Sequence, residues 1–257
     1  MRLNKFISHN SKYSRREADK LIEDGLVKLN KKIINEFGYE VQDSDMVTVK
    51  NRAIKQKKQG EVTMVIYNKP KGVLVTRKDD RGRATIYHKL PGKYRHFIPI
   101  GRLDYVSEGL LLLTDAPEVA EVLMTSDLPR TYNIKIDKSP SLPMIDAMKN
   151  GLHLEDASTG AHEFSSIKSM NFAPFSSFDF RGQTGKYTKL RVTIAEGKNR
   201  ELRRFFAHFD ATIVDLKRVA FWNIELNNLP TNKTRYFSHK EYDQLHKLLK
   251  KVKKNEK

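Results

Sequence analysis

The sequence predicts a mixed α+β protein made of two successive units, a small one of about 50 residues and a larger one built on a mixed, mainly antiparallel sheet. Three observations carry this. Residues 1–50 contain a full set of helix and strand signals of their own. The stretch at 51–61, "NRAIKQKKQGE", is charged and lacks apolar periodicity, the composition of a linker. From residue 62 to about 240, strand-like segments dominate and helices interrupt them.

Along the chain, "RLNKFISHN" places Leu3, Phe6 and Ile7 at helical spacing. A second helix opens at Ser14-Arg15-Arg16-Glu17, a capping box in which the Ser14 hydroxyl accepts from the Glu17 backbone and the Glu17 carboxylate reaches back. Ala18, Leu21 and Ile22 continue its apolar face, and Gly25 supplies a left-handed stop. "LVKLNKKII" and "DMVTVK" read as short strands separated by polar turns. Beyond the linker, "VTMVIYNKPKG" is a strand closed by a Lys-Pro-Lys-Gly turn. The four leucines of "GRLDYVSEGLLLLTD" belong in a buried strand. Asp115-Ala116-Pro117-Glu118 marks a helix start, with proline in the first turn and glutamate at the capping-box position. "RTYNIKI", "KLRVTIAEG" and "ATIVDLKRVAFWNIEL" read as strands, whereas "SLPMIDAMKNGL" and "KNRELRRFFAHFD" read as helices. "FAPFSSFDFRGQTG" reads as a loop, and residues 241–257 as a lysine-rich tail, helical at first and then frayed.

Forty-eight lysines and arginines against 31 acids leave a formal net charge of +17 over 257 residues. Charge of that size attracts polyanions, with nucleic acid the first candidate. A membrane fits poorly, because no apolar run approaches the ~20 residues of a spanning helix. There is no cysteine, which removes disulfides, thiolate nucleophiles and cysteine zinc sites. The eight histidines form no pair at ligand spacing among carboxylates, so a metal-free protein is expected. "GQTGKY" lacks the spacing and hydroxyl of a P-loop. No glycine fingerprint of a dinucleotide or methyl-donor site follows a strand, and no nucleophile elbow is present. Any enzyme here works without a cofactor.

Four basic clusters remain. Arg15 and Arg16 stand in the first turn of a helix, where the macrodipole disfavours cations, beside Lys12 and Lys20. They form either a phosphate-binding face or a solvated helix end. In "GRLD", a carboxylate next to apolar runs needs a paired arginine. Held that way, it is a nucleophile, a base or one half of a structural ion pair. Tyr132, in "RTYNIKI", either packs in the sheet or offers a ring for an extruded base. In "EGKNRELRRFF", Leu202, Phe205 and Phe206 share an apolar stripe, so at least one of Arg203 and Arg204 points elsewhere, into solvent or a cleft.

Together these blocks closely resemble the bacterial ribosomal-RNA pseudouridine synthases with an N-terminal S4 domain, over nearly the whole chain. "RLNKFISHNSKYSRREADKLIEDGLVKLN" is similar to the S4 module, and "NKPKGVLVTRKDDRGRATIYHKLP" to the opening of the catalytic domain. "GRLDYVSEGLLLLTD" resembles the family's signature, and "EGKNRELRRFFAHFDATIVDLKRVAFWNIEL" its C-terminal motif. The resemblance implies an S4-like α/β RNA-binding domain at 1–50, a linker at 51–61, a pseudouridine synthase domain at 62–240 and a basic tail at 241–257. It also implies a uridine flipped into a cleft, with Asp104 as the catalytic nucleophile or base and Tyr132 as the stacking ring. Leu202 would line the base pocket, Arg203 pair with the aspartate, and Arg102 hold the nucleotide backbone. RNA binding would fall to Lys12, Arg15, Arg16, Lys20, Lys198, Arg200 and Arg204.

The chain departs from the family pattern at Ser107, where threonine is usual, at Arg130, where lysine is common, and at Glu201, where glutamine is common. Glu201 is expected to face away from RNA or to pair with an arginine. The expected partner is ribosomal RNA or a pre-ribosomal particle, of the large subunit more than the small, met by a cytoplasmic monomer that needs neither cofactor nor metal. The competing class is a non-catalytic S4-type assembly factor. An S4-bearing RNA methyltransferase fails for want of a glycine-rich cofactor loop.

Overall fold

The computed structural model describes residues 1–11, 13–54, 62–158, 160, 167 and 169–255. They form two compact units, Met1–Val62 and Thr63–Lys257.

The first unit packs α1 (Leu3–Asn10) and α2 (Arg15–Glu23) with a four-stranded sheet of β1 (Val27–Leu29), β2 (Lys32–Ile33), β3 (Val47–Val49) and β4 (Arg52–Ala53), in the order β2-β1-β3-β4. The capping box forms as the sequence predicts: Glu17 N donates to Ser14 Oγ at 3.2 Å and Ser14 N to Glu17 Oε2 at 2.7 Å. Leu3, Ile7, Ala18, Ile22 and Val27 are wholly buried in one core. Arg15, Arg16 and Lys20 are exposed on α2, while Lys12 lies outside the described residues. The sheet runs further than expected. Arg52 and Ala53 pair with β3 inside the stretch read as a linker, because a backbone ladder needs no apolar side chains. Residues 55–61 lie outside the described residues.

The second unit contains β5 (Met64–Lys69), α3 (Ile86–Lys89), β6 (Ile98–Ile100), β7 (Glu108–Thr114), α4 (Pro117–Thr125), β8 (Arg130–Ile136) and α5 (Leu142–Asn150). There follow β9 (Leu152–Leu154), β10 (Met170–Phe172), β11 (Ser177–Thr184), β12 (Tyr187–Ile194), α6 (Glu201–His208), β13 (Ile213–Phe221), β14 (Ile224–Glu225), β15 (Thr234–Tyr236) and α7 (His239–Asn255). Its nine-stranded sheet runs β11-β12-β8-β13-β7-β5-β15, with β14 on β13 and β6 on β7. Only β13 and β7 run parallel; the other pairings are antiparallel. This is the mixed, mainly antiparallel sheet the sequence predicts.

The leucine run is central β7. Leu111 and Leu113 join the core of Val65, Tyr67, Ile134, Phe205 and Phe206, while Leu110 and Leu112 point to the opposite face and are equally buried. Each such burial stabilises by ~1.5–3 kcal/mol. Gly109 lets β13 approach: a Cβ there would lie 2.2 Å from the Arg218 carbonyl oxygen.

Three local readings differ. The segment read as a loop contains β11, whose Thr184 pairs with Tyr187 across a two-residue Gly185-Lys186 turn. Gly185 takes φ +57° there, as a tight hairpin requires. The Asp115 carboxylate does not cap α4. It accepts from Thr63 N at 2.8 Å, and Ala116 stands at the N-cap. The expected tail begins inside α7, where Leu245 is buried and Met64 N donates to the Tyr242 hydroxyl at 2.9 Å, so this part of it is packed.

Candidate active site

Asp104 lies in the short loop between β6 and β7. A wholly buried lysine, Lys69 at the end of β5, fastens that loop from below. Its Nζ donates to the carbonyls of Asp104 (3.1 Å), Ser107 (2.7 Å) and Pro70 (3.0 Å). Burial pushes the Lys69 ammonium down to about 8, with Asp104 and Glu108 opposing. Ser107 N donates to Asp104 O at 3.1 Å, and Gly72 N to Tyr105 O at 2.8 Å. Strand and loop are thus fixed to each other by backbone carbonyls, which makes the carboxylate's position a property of the fold.

The carboxylate is about one-third exposed (34%) and meets two guanidiniums: Arg200 Nη1 and Arg203 Nε each stand 3.4 Å from Asp104 Oδ2. Arg203 Nη1 donates to Ile213 O at 3.1 Å and Nη2 to Ser107 Oγ at 3.2 Å, so one side chain ties α6 to β13 and to the aspartate loop. Burial lowers the Arg203 pKa, and Asp104 is the main opposing influence. Arg200 occupies the N-cap of α6 with φ +51°, an uncommon conformation for a residue with a Cβ. Its Nε donates to Gly160 O at 2.8 Å. Arg203 therefore pairs with Asp104 as expected, and Arg200, expected on RNA alone, does so too.

A cleft of about 210 Å³ opens beside Asp104, lined among others by Leu103, Tyr132, Leu202, Leu216, Arg218 and Phe221. That is below the ~300–1,000 Å³ of drug-sized pockets and suits one flat base. Tyr132, on β8, stands in register between Val192 and Arg218. Leu202 projects from the first turn of α6. Arg218 is fully enclosed, and its Nε donates to Leu110 O at 2.7 Å. Burial lowers its pKa, and the Tyr132 hydroxyl beside it opposes the shift. Arg102 is exposed at the rim. Lys198, also at the cleft, donates to Asn171 O at 2.6 Å and Glu196 Oε2 at 2.7 Å.

Two expectations need correction. Arg204 does not face RNA. It is wholly buried, and its guanidinium donates to Asn199 O (3.1 Å), Asn199 Oδ1 (3.2 Å) and the Ala157 carbonyl. A helix places consecutive residues ~100° apart, so with Arg203 turned to the aspartate, Arg204 reaches a different neighbour. Glu201, expected to face away from RNA or to pair with an arginine, makes no salt bridge among the described residues. It is 6% exposed, lines the cleft, and its Oε2 accepts from Lys198 N at 3.0 Å. Burial pushes its carboxyl up to about 7.

Sequence reading missed Lys69, Arg218 and the second arginine on Asp104. Lys69 sits in a strand buried at all six positions, but a lysine before proline carries no sign of burial. Arg218 did carry a sign. It shares the parity of Leu216 and Ala220 in β13, hence the inward face. Among the described residues no group of three His, Asp or Glu side chains is placed to hold a metal ion.

An aspartate side chain between two guanidiniums, at the mouth of a small cationic cleft on a mixed sheet, defines an enzyme that handles a single nucleotide of a polyanion. Residues 63–208 match the RNA pseudouridylate synthase family and residues 1–47 the S4 domain. The chain belongs to the RNA pseudouridylate synthases and is an RNA pseudouridine synthase. An uncharacterized RNA pseudouridine synthase of Helicobacter pylori is 46% identical over 246 residues, covering 96% of this chain and 94% of the relative. The ribosomal large subunit pseudouridine synthase B of Bacillus subtilis is 33% identical over 249 residues, covering 96% of each. A solved pseudouridylate synthase shares the fold, with TM-score 0.60 and 22% identity over 95% of this chain and 99% of that one.

Proposed function

We propose that the protein converts a specific uridine of ribosomal RNA, in the large subunit, to pseudouridine, acting as a monomer in the cytoplasm. The observation that carries the chemistry is Asp104, held 3.4 Å from both Arg200 and Arg203 beside a cleft walled by Tyr132 and Leu202. The similarity to the Bacillus subtilis large-subunit synthase supports the choice of RNA. The net charge of +17 suits a large polyanion. No helix among the described residues is long and apolar enough to cross a membrane.

The target uridine leaves its stack and enters the cleft, where the Tyr132 ring lies against it and Leu202 closes the other side. Asp104 acts at the sugar as nucleophile or base while the bond from N1 to C1′ breaks. Uracil turns, C5 bonds to C1′, the C5 proton leaves and N1 gains one. Substrate and product are isomers, so the overall change consumes no oxidant or co-substrate. Arg200 and Arg203 keep the carboxylate aimed, since a misplacement of ~1 Å is costly to rate. Arg102 at the rim and Lys198 hold the flanking backbone, and Arg15, Arg16 and Lys20 supply the phosphate-binding face of the first unit.

Asp104→Asn is expected to abolish pseudouridine formation while RNA binding survives, read by a reverse-transcription stop assay. Retained turnover overturns the role of Asp104. Mapping ribosomal pseudouridines in cells with and without the gene identifies the subunit and the uridine. Identical maps would leave only an RNA-binding assembly factor.

A further inference from the structure

The cleft uses one face of the sheet. Strand alternation sends the intervening side chains to the other. Over β8, β12 and β13 that opposite face carries Asn133, Lys135, Lys189, Arg191 and Lys217, all exposed or half-buried. Register sets them in two rows. Arg191 stands opposite Asn133, which stands opposite Lys217; in the next row Lys189 faces Lys135, which faces Asp215. With strands ~4.8 Å apart and alternate residues ~7 Å apart, four cations fall within a patch of roughly 10 by 7 Å. Two shallow concavities, of about 300 and about 420 Å³, lie among these side chains.

The arrangement works against the isolated protein. Like charges directly across a strand pair destabilise it, and Lys135 faces Lys189. Of the nearby carboxylates, Asp215, opposite Lys135, pairs with Lys71 at 2.7 Å, Asp179, opposite Arg191, pairs with Arg181 at 3.1 Å, and Glu225 lines the smaller concavity. Lys135 leans over the Tyr187 ring at 4.3 Å. Among the described residues, Lys189, Arg191 and Lys217 make no side-chain hydrogen bond or ion pair. Concave, and with its cations outnumbering Asp179, Asp215 and Glu225, the face is complementary to a chain of phosphates.

We propose that this open sheet face is a second RNA-contacting surface, which grips the phosphate backbone of a segment other than the one entering the cleft. The proposal rests on the reading of a large ribosomal RNA as substrate, because a short stem-loop filling the cleft would not reach both faces of one sheet. The β11–β12 hairpin, whose sequence suggested only a loop, extends the edge around which such an RNA passes.

The test is the full-length K189Q/R191Q/K217Q variant against an unmodified 23S rRNA transcript, with binding measured from 50 to 200 mM salt. Affinity at 100 mM salt is expected to fall about tenfold, and the log–log salt slope to flatten by about 2, as for three lost phosphate contacts. The single-turnover rate at saturating RNA should stay within about twofold of wild type. A photo-crosslinking residue at Asn133, in the middle of the patch, should capture the transcript. Unchanged affinity and slope, or a crosslinker that captures no RNA, overturns the proposal, including the case in which the face binds an acidic protein instead. If wild type modifies the transcript and the variant binds it equally well, the surface alone fails. If wild type neither binds nor modifies it, the ribosomal reading fails and this one with it.

Discussion

Glu201→Gln tests the electrostatics of the cleft most directly. The native carboxyl is buried in the first turn of α6, accepts from Lys198 N, and has a pKa raised from 4.5 to about 7 by burial. A carboxyl with a higher pKa in the folded chain keeps its proton there after the unfolded chain has lost it. Between pH 4.5 and 7 the folded state therefore binds more protons, and stability falls as pH rises through that window. The full shift corresponds to at most about 3 kcal/mol at ~1.36 kcal/mol per pKa unit. Glutamine keeps the acceptor for Lys198 N and removes the charge, so that penalty should disappear. Above pH 7 the variant should gain about 1–3 kcal/mol, a rise in Tm of ~2–10 °C for a unit of this size. Near pH 4.5 it should match wild type. Thermal melts of both proteins from pH 4.5 to 8 read the difference directly. Coincident melts at pH 8, or an equal gain at both ends of the range, would refute the buried-carboxyl argument.

The Lys69 ammonium, at about 8, should give the single-turnover rate an alkaline limb near that pH, since deprotonation removes donors from the carbonyls of the aspartate loop. Lys69→Met should lower the rate and abolish the limb. Arg203→Met should cost about 2–3 kcal/mol in kcat/KM, or 30- to 150-fold, because it removes a buried charge-assisted partner of Asp104 along with bonds to Ile213 and Ser107. Arg200→Met, at a side chain about twice as exposed (22% against 12%), should cost less. Gly109→Ala should destabilise the second unit by ~3 kcal/mol or more, since its Cβ has no room beside the Arg218 backbone; calorimetry or soluble yield reads this. RNA affinity should fall steeply with salt, and a Kd flat from 50 to 200 mM would contradict the cationic-surface reading.

Much of this protein was settled by its sequence, because the features concerned depend on near neighbours in the chain. The Ser14–Glu17 capping box, the buried leucine strand and the apolar stripe of α6 follow from spacing and period alone. The "GRLD" and "KNRELRR" blocks gave the family by their order and content. The packed structure decided where each charge points. Whether Arg203 or Arg204 reaches Asp104, and whether Glu201 meets solvent or the cleft, depends on neighbours such as Ala157, Ser107 and Ile213, brought close by the fold. Lys69 was hidden for the same reason, whereas the strand parity of Arg218 already pointed inward. A cation is buried only when distant carbonyls converge on it, and that convergence is a property of the whole sheet, which no window of sequence contains.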